Sequence, residues 1–276
     1  MPVFRFEDID FHYVCEGAGF PLLFLHGLGG ELGQGRALLE RTHGFRKVFM
    51  DIRAHGGTEP LGSVEKLTFE QFAADARALL DHLEIEQAVV GGISMGSGVA
   101  LRLALSFPKM VQALVLVRPA WLDAASPANL EGIVTIGRLL RDHPAAEAKQ
   151  MFSESALYRE LERSAPAVAA SALGQFDAPQ ARERSERLIR IPASVPFDRM
   201  EDLADVRQPT LVLATPSDPA HPLAMAETLA AAIRDSTLAV VTSKSEGLEK
   251  HFAECAGRIN EFLEKHTTSL HRGRIQ

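Results

Sequence analysis

Cysteine is scarce in this sequence, and long apolar runs are absent. The chain contains two cysteines, Cys15 and Cys255, which lie far apart and lack the spacing of metal ligands. No disulfide framework or cysteine-based metal site is therefore indicated, and we expect two buried thiols in a reducing compartment. No apolar stretch approaches the ~18 residues of a membrane span, and the N-terminus lacks the charged-then-apolar order of a signal peptide. The sequence thus favours a cytoplasmic protein with no membrane partner.

The sequence also lacks a basic block. Its formal net charge is −7, spread along the chain, whereas binding of nucleic acid requires clustered lysine and arginine. The 276 residues are 46% hydrophobic, which is enough for a large core. We expect a small-molecule partner and no nucleic acid, and no metal or other cofactor is indicated. The oligomeric state, monomer or homodimer, stays open.

Short apolar runs alternate with helix-like segments along most of the chain. Residues 3–14 predict an antiparallel hairpin at a sheet edge. Buried strands are predicted at 21–25, 48–50, 88–90, 111–117, 210–214 and 238–241, and helices at 69–83, 223–232 and 250–264. Strands that alternate with helices predict an α/β fold with a mostly parallel, doubly wound sheet, whose ligands bind beyond the carboxyl ends of the strands.

This alternation stops between residues 119 and 197. The segment shows only helical periodicity, is rich in alanine, arginine and glutamate, and is interrupted by prolines. We expect a helical cap at 119–197, inserted into a core domain made of residues 1–118 and 198–276.

A serine between glycines lies at the centre of the pattern. Ser94 follows the predicted strand 88–90 and precedes a helix-like run, with Gly92 and Gly96 on either side. This G-x-S-x-G arrangement is typical of a nucleophile elbow, in which a sharp turn exposes the serine hydroxyl. The backbone N–H of Met95 would face an oxygen that gains negative charge beside it. We predict that Ser94 is a catalytic nucleophile.

A serine hydroxyl is a weak nucleophile and needs an imidazole oriented by a carboxylate. Asp218 lies just past the predicted strand 210–214 and is the candidate acid, with Asp123 as its rival. The loop after residue 241 contains no histidine, so His251 is the first available and is the predicted base. His221, three residues after Asp218, competes with it.

The glycine-rich segment after the first buried strand suggests a second oxyanion donor. We predict that the N–H of Leu28 pairs with that of Met95 to form an oxyanion hole. The same glycines partly match a dinucleotide-binding fingerprint, but Leu32 occupies the position of the third glycine and no phosphate loop follows.

These motifs resemble those of the α/β-hydrolase superfamily over residues 21–263. The resemblance rests on four segments: His26-Gly27-x-Gly29-Gly30, Asp51-x-Arg53-x-His55-Gly56-x-Thr58, Ser94-Met95-Gly96, and residues 209–213 leading to Asp218. The elbow is similar to that of the small carboxylesterase, perhydrolase and non-haem haloperoxidase branch. The resemblance implies a triad in the order Ser94, Asp218, His251, and a cap after residue 118. The chain departs from the pattern at Ala54, often glycine in the family, and by lacking the usual Gly-His pair near residues 245 and 246.

Together these features predict a serine hydrolase. It would cleave an ester, lactone or thioester of a small to medium, mainly apolar substrate through an acyl-enzyme. Arg118 is a candidate for holding a substrate carboxylate or anchoring the cap. The apolar candidates for lining a substrate pocket are Trp121, Met151, Phe152, Phe176 and Phe197.

Three other functions remain open on the same fold. The first is carbon–carbon bond hydrolysis or lysis by the same residues. The second is cofactor-free oxygenase or perhydrolase chemistry. The third is ligand binding without catalysis, which the missing Gly-His pair leaves open.

Overall fold

An eight-stranded sheet forms the centre of the computed structural model, which describes residues 2–272 and the side chains of residues 2–267. The strand order is β1-β2-β4-β3-β5-β6-β7-β8. The bounds are β1 Val3–Phe6, β2 Ile9–Glu16, β3 Phe20–Leu25, β4 Phe45–Met50, β5 Ala88–Ile93, β6 Val111–Val117, β7 Thr210–Ala214 and β8 Ser236–Val240. The β1–β2 and β2–β4 pairs are antiparallel, whereas the strands from β4 to β8 pair in parallel. The predicted mostly parallel sheet with an edge hairpin is confirmed.

Helices pack on both faces of the sheet and also form the insertion. The bounds are α1 Gly33–Leu38, α2 Phe69–His82, α3 Met95–Ser106, α4 Glu131–Asp142, α5 Ala145–Ser153, α6 Ala156–Ser164, α7 Pro166–Gly174, α8 Arg187–Arg190, α9 Leu223–Ala232 and α10 Leu248–Arg272. Helices α4 to α8 lie between β6 and β7, so the chain leaves the sheet at this point to form a helical insertion.

The sheet separates two apolar clusters, since side chains alternate between its faces. Helices α2, α3 and α9 contribute to the cluster on one face, and α1 and α10 to that on the other. A third cluster lies within the insertion and includes Phe152 and Phe176. The central strands β3, β5 and β7 are buried along their whole length. This explains their unbroken apolar runs, because strands covered on both faces have no polar side to present.

The prediction of two buried thiols is wrong for one of them. Cys255 is buried on α10, whereas Cys15, near the end of the hairpin strand β2, is exposed, and both are free. No helix within residues 2–272 combines the length and apolarity that crossing a bilayer requires.

Candidate active site

Ser94 occupies a strained turn between β5 and α3. Its backbone adopts φ 56° and ψ −111°, a conformation that is unfavourable for a residue with a side chain. A Cβ atom at Gly92 would collide with the backbone of Gly96, and one at Gly96 would collide with the backbone of Leu25. Glycine at both positions therefore allows the turn to be this tight.

The N-terminus of α3 lies directly after this serine. Met95 is the first helical residue, and its N–H has no intrahelical acceptor. The N–H of Leu28 lies in the loop after β3, and among the hydrogen bonds of residues 2–267 none engages either N–H. Both predicted oxyanion donors are thus without a hydrogen-bond acceptor. The Met95 N–H also lies at the positive end of the α3 helix dipole.

A carboxylate–imidazole pair follows β7. Nδ1 of His221 lies 2.9 Å from Oδ2 of Asp218, and the carboxylate also accepts from the Ala220 N–H at 3.2 Å. Because a carboxylate only accepts hydrogen bonds, the proton between the two groups belongs to Nδ1 of His221. The other ring nitrogen, Nε2, is then free to accept a proton.

The surroundings of this pair favour an ionised acid and a neutral imidazole. Burial acts to raise the pKa of Asp218, but the hydrogen bond from His221 and the charge of Arg118 outweigh it, so this pKa lies well below its ordinary value. Nη1 of Arg118 lies 3.3 Å from Asp218 Oδ2. Burial lowers the pKa of His221, and the hydrogen bond to Asp218 offsets this only in part. At neutral pH the pair is therefore in the state that a general base requires.

Ser94, Asp218 and His221 line one cavity of about 310 Å³ beyond the carboxyl ends of the strands. Apolar side chains of α4, α6 and α7 line the part of this cavity formed by the insertion. Its polar lining comes from the loops after β7 and β8 and from residues of other segments, among them Gln34, Arg118, Asn129 and Gln175. The structure thus brings a serine elbow and an oriented imidazole to the same space.

His251 lies elsewhere. This residue is 1% exposed and does not line the cavity. Nδ1 donates to the Thr242 carbonyl at 2.8 Å, and Nε2 faces Sγ of Cys255 at 3.8 Å. Burial lowers the pKa of His251 to about 4 and raises that of the Cys255 thiol to about 11, so the thiol keeps its proton. Both nitrogens of the predicted base are therefore directed at α10 and the end of β8 rather than at Ser94.

The loop after β8 brings Lys244 to the cavity instead of an imidazole. Burial, reinforced by the charge of Arg118, lowers the pKa of Lys244 to about 8. Asp123, the alternative acid, is exposed and does not line the cavity.

The predicted substrate-contacting residues divide into two groups. Arg118 and Trp121 line the cavity, and Trp121 packs edge-on against Phe69 with ring centroids 5.2 Å apart. Phe152 and Phe176 pack against each other inside the insertion, with centroids 5.6 Å apart. The remaining two also lie away from the cavity: Met151 is 41% exposed and Phe197 is buried in the core.

Two buried histidines hold the loop that carries Leu28. His26 donates through Nδ1 to the Gly27 carbonyl and accepts through Nε2 from the Ile52 N–H at 2.9 Å. His55 Nε2 accepts from the Gly29 N–H at 3.1 Å. Burial lowers the pKa of His26 to about 4 and that of His55 well below its ordinary value. Both rings are therefore neutral and supply the acceptors that the loop needs.

Two arginines of the insertion extend this network. Nη1 of Arg187 donates to the Ala54 carbonyl at 2.6 Å, and Nη1 of Arg184 donates to the Gly56 carbonyl at 2.8 Å. Burial lowers the pKa of Arg187 only to about 10, so it stays charged at neutral pH. These bonds join the insertion to the loop after β4, next to His55. Nothing in the arginine-rich sequence of the insertion distinguishes these two from exposed arginines.

Asn129 of the insertion is a second feature that the sequence does not reveal. Its Nδ2 donates to the carbonyls of Ala120 and Ala220, at 3.1 and 2.8 Å. Since Ala220 precedes His221, this side chain fixes the turn that carries the imidazole.

A buried ion pair supports the loop after β4. Nε and Nη2 of Arg53 donate to Asp75 on α2 at 2.5 and 2.8 Å, and both side chains are buried. We expect Arg53→Met to lower the free energy of unfolding by about 3–5 kcal/mol, because Asp75 would lose its counter-charge inside the protein. Urea denaturation followed by circular dichroism measures this. Arg77→Met, which removes a half-exposed pair with Asp81, is the control and should cost less than about 1 kcal/mol. Equal losses in the two variants would contradict the expectation.

Within residues 2–267, no group of three or more histidine, cysteine, aspartate or glutamate side chains is arranged to hold a metal ion.

The sheet order, the helical insertion and the serine elbow together define an α/β-hydrolase fold, and comparison with known proteins agrees. Residues 21–246 match the family described as alpha/beta hydrolase fold. The chain belongs to this family.

Relatives of this family cover nearly the whole chain. The "Putative carbamate hydrolase RutD" of Azorhizobium caulinodans is 30% identical over 251 residues, covering 87% of this chain and 89% of that protein. The enol-lactonase of Burkholderia xenovorans LB400 superposes with a TM-score of 0.74 at 22% identity, covering 95% and 99% of the two chains. A thermophilic esterase from Thermogutta terrifontis gives 0.69 at 24% identity, with 95% and 94% covered. These two structures share the fold, and the relatives include hydrolases of several substrates.

Proposed function

We propose that this α/β hydrolase cleaves a carboxylic ester or lactone through an acyl-enzyme on Ser94, with His221 as general base. The observation that carries the proposal is that the serine elbow and the Asp218–His221 pair line the same cavity. A neutral imidazole with its Nδ1 proton held by an ionised carboxylate has its other nitrogen available for the serine proton. The esterase and lactonase names among the structural neighbours support this choice of bond.

The reaction follows from these positions in two steps. In the first step, Ser94 Oγ bonds to the substrate carbonyl carbon while its proton passes to Nε2 of His221. The carbonyl oxygen becomes an oxyanion, which accepts hydrogen bonds from the N–H groups of Leu28 and Met95. The carbon–oxygen bond to the leaving alcohol then breaks, and His221 returns the proton to that alcohol. In the second step the same imidazole takes a proton from water, whose oxygen bonds to the acyl carbon. The bond from that carbon to Ser94 Oγ then breaks, His221 gives the proton to Oγ, and the carboxylic acid leaves.

Labelling with a fluorophosphonate tests this proposal and separates it from ligand binding without catalysis. We expect one equivalent of adduct by intact-protein mass spectrometry, located on the peptide that contains Ser94, because only an activated serine reacts readily. The Ser94→Ala variant should take up no label. An unlabelled wild-type protein that binds the reagent reversibly would contradict the proposal.

The pH dependence of kcat/KM for a neutral aryl ester separates an imidazole base from Lys244. Only the unprotonated base accepts the serine proton, so activity falls as pH drops below the pKa of the base. Because burial lowers the pKa of His221, we expect a plateau at neutral pH and a fall centred below 6.5. Activity that still rises through pH 8 would instead assign the base to Lys244, whose pKa is about 8. Circular dichroism at each pH confirms that the protein stays folded.

A further inference from the structure

The cavity has a cationic end. Lys244, in the loop after β8, and Arg118, directly after β6, both line it, and they are close enough for the charge of Arg118 to lower the pKa of Lys244. Arg118 pairs with Asp218, whereas Lys244 has no ion pair among the described side chains. The ammonium of Lys244 lies 5.8 Å from the centroid of the Phe252 ring, which favours its position by a cation–π contact.

The remaining charge along the cavity does not neutralise this ammonium. Apart from Asp218, the lining carboxylate is Glu131, which is exposed in the first turn of α4. The lining imidazole, His221, is neutral at neutral pH because burial lowers its pKa. Lys244 is therefore left with one uncompensated positive charge beside the site.

Two residues that line the cavity also carry a buried hydrogen-bond donor without a partner. Nε of Arg118 and Oγ of Ser243 are buried without a partner among the described residues, and Ser243 is 3% exposed. Both residues line the cavity. Ser243 precedes Lys244 in the chain, and the charge of Arg118 acts on Lys244. Buried donors without an acceptor are unfavourable, so an anionic acceptor bound here would satisfy both of them.

The part of the cavity that the insertion lines is largely apolar. Its lining side chains are apolar and come from α4, α6 and α7 and the turn before α4: Leu130, Ile133, Ile136, Leu157, Leu161, Val168 and Ala172. A ligand that fills the cavity thus contacts apolar side chains of the insertion in one part of it. In another part it contacts the Lys244 ammonium and the unpaired donors of Arg118 and Ser243.

We propose that Lys244, Arg118 Nε and Ser243 Oγ form a subsite for a carboxylate carried by the substrate. The preferred substrate is then an ester or lactone with a short apolar chain and one carboxylate, since one unpaired ammonium balances one negative charge. This inference rests on the proposed acyl transfer at Ser94 and specifies its substrate class.

Matched substrates test the subsite. Mono-p-nitrophenyl adipate carries a carboxylate, and p-nitrophenyl hexanoate is its neutral counterpart. We expect wild-type protein to favour the adipate ester in kcat/KM, and Lys244→Met to lower the ratio of the two values about 10- to 100-fold, as loss of a charge-assisted hydrogen bond does. Lys244→Arg should retain most of the preference. Lys250→Met removes an exposed lysine six residues further on and should leave the ratio unchanged. An unchanged ratio in Lys244→Met would overturn the inference.

Binding to the Ser94→Ala variant gives a readout without catalysis. By calorimetry, monomethyl adipate should bind at least about tenfold more tightly than dimethyl adipate, and Lys244→Met in the same background should abolish the difference. If wild-type protein hydrolyses the neutral ester but neither assay shows selectivity for the carboxylate, the subsite fails and the proposed function stands. If selective binding occurs but no ester is hydrolysed and no phosphonate adduct forms, the proposed function fails, and the subsite stands only as a site that binds a carboxylate.

Discussion

Ser94→Ala is expected to lower kcat for an ester substrate by about 10⁶-fold, because the acyl-enzyme cannot form without the hydroxyl oxygen. The elbow itself should persist. Its shape depends on Gly92 and Gly96, and Oγ of Ser94 makes none of the hydrogen bonds found among the described side chains. The folded state should therefore be retained, as circular dichroism and the thermal unfolding midpoint would show.

Ser171→Ala is the matched control for this prediction. Ser171 also lines the cavity but lies on α7, without a tight turn or an oxyanion donor beside it. Its replacement should change kcat by less than about tenfold. If Ser94→Ala retains kcat within about tenfold of wild type, a nucleophilic serine at position 94 is contradicted.

His221→Gln is expected to lower kcat about 10⁴- to 10⁶-fold, the range seen when the base of a serine triad is lost. Glutamine keeps a polar side chain against Asp218 but cannot accept the serine proton. His251→Gln is the comparison. Because the ring of His251 is hydrogen-bonded to Thr242 and faces Cys255, its loss should affect stability, while kcat per folded molecule stays within about tenfold of wild type. A large loss of kcat in His251→Gln, with kcat of His221→Gln close to that of wild type, would assign the base to His251.

The fold was predictable because its signals are local. Strands such as β5 and β7 are buried on both faces, and their apolar runs mark them directly. The predicted helix 223–232 coincides with α9, whose signal also lies within one short segment of the sequence. Helix α1 gave no comparable signal, because it is six residues long and contains two glycines.

The site was predictable where one short segment determines it. Ser94 and Asp218 each follow a buried strand, so their sequence neighbours place them at the same edge of the sheet. The imidazole depends on contacts between distant segments. Sequence order predicts His251 as the base because it is the first histidine after β8. The direction of its ring is set by Thr242 and Cys255, which sequence spacing does not specify.

Helical periodicity could not predict which residues of the insertion line the cavity. Helical spacing shows that Phe152 and Phe176 belong to an apolar face but not which surface that face meets. In the structure they form the interior of the insertion, while Leu157 and Val168 on α6 and α7 line the cavity. Large aromatic side chains filled the core, and smaller aliphatic ones surround the space for a ligand.

The most direct measurement of the proposed triad is a crystal structure of the protein after reaction with a fluorophosphonate. We expect the phosphorus bonded to Ser94 Oγ, the phosphonyl oxygen within about 3 Å of the Leu28 and Met95 nitrogens, and His221 Nε2 within about 3.2 Å of Oγ. Either the His251 ring or the Lys244 ammonium in the place of the His221 imidazole would contradict the proposal.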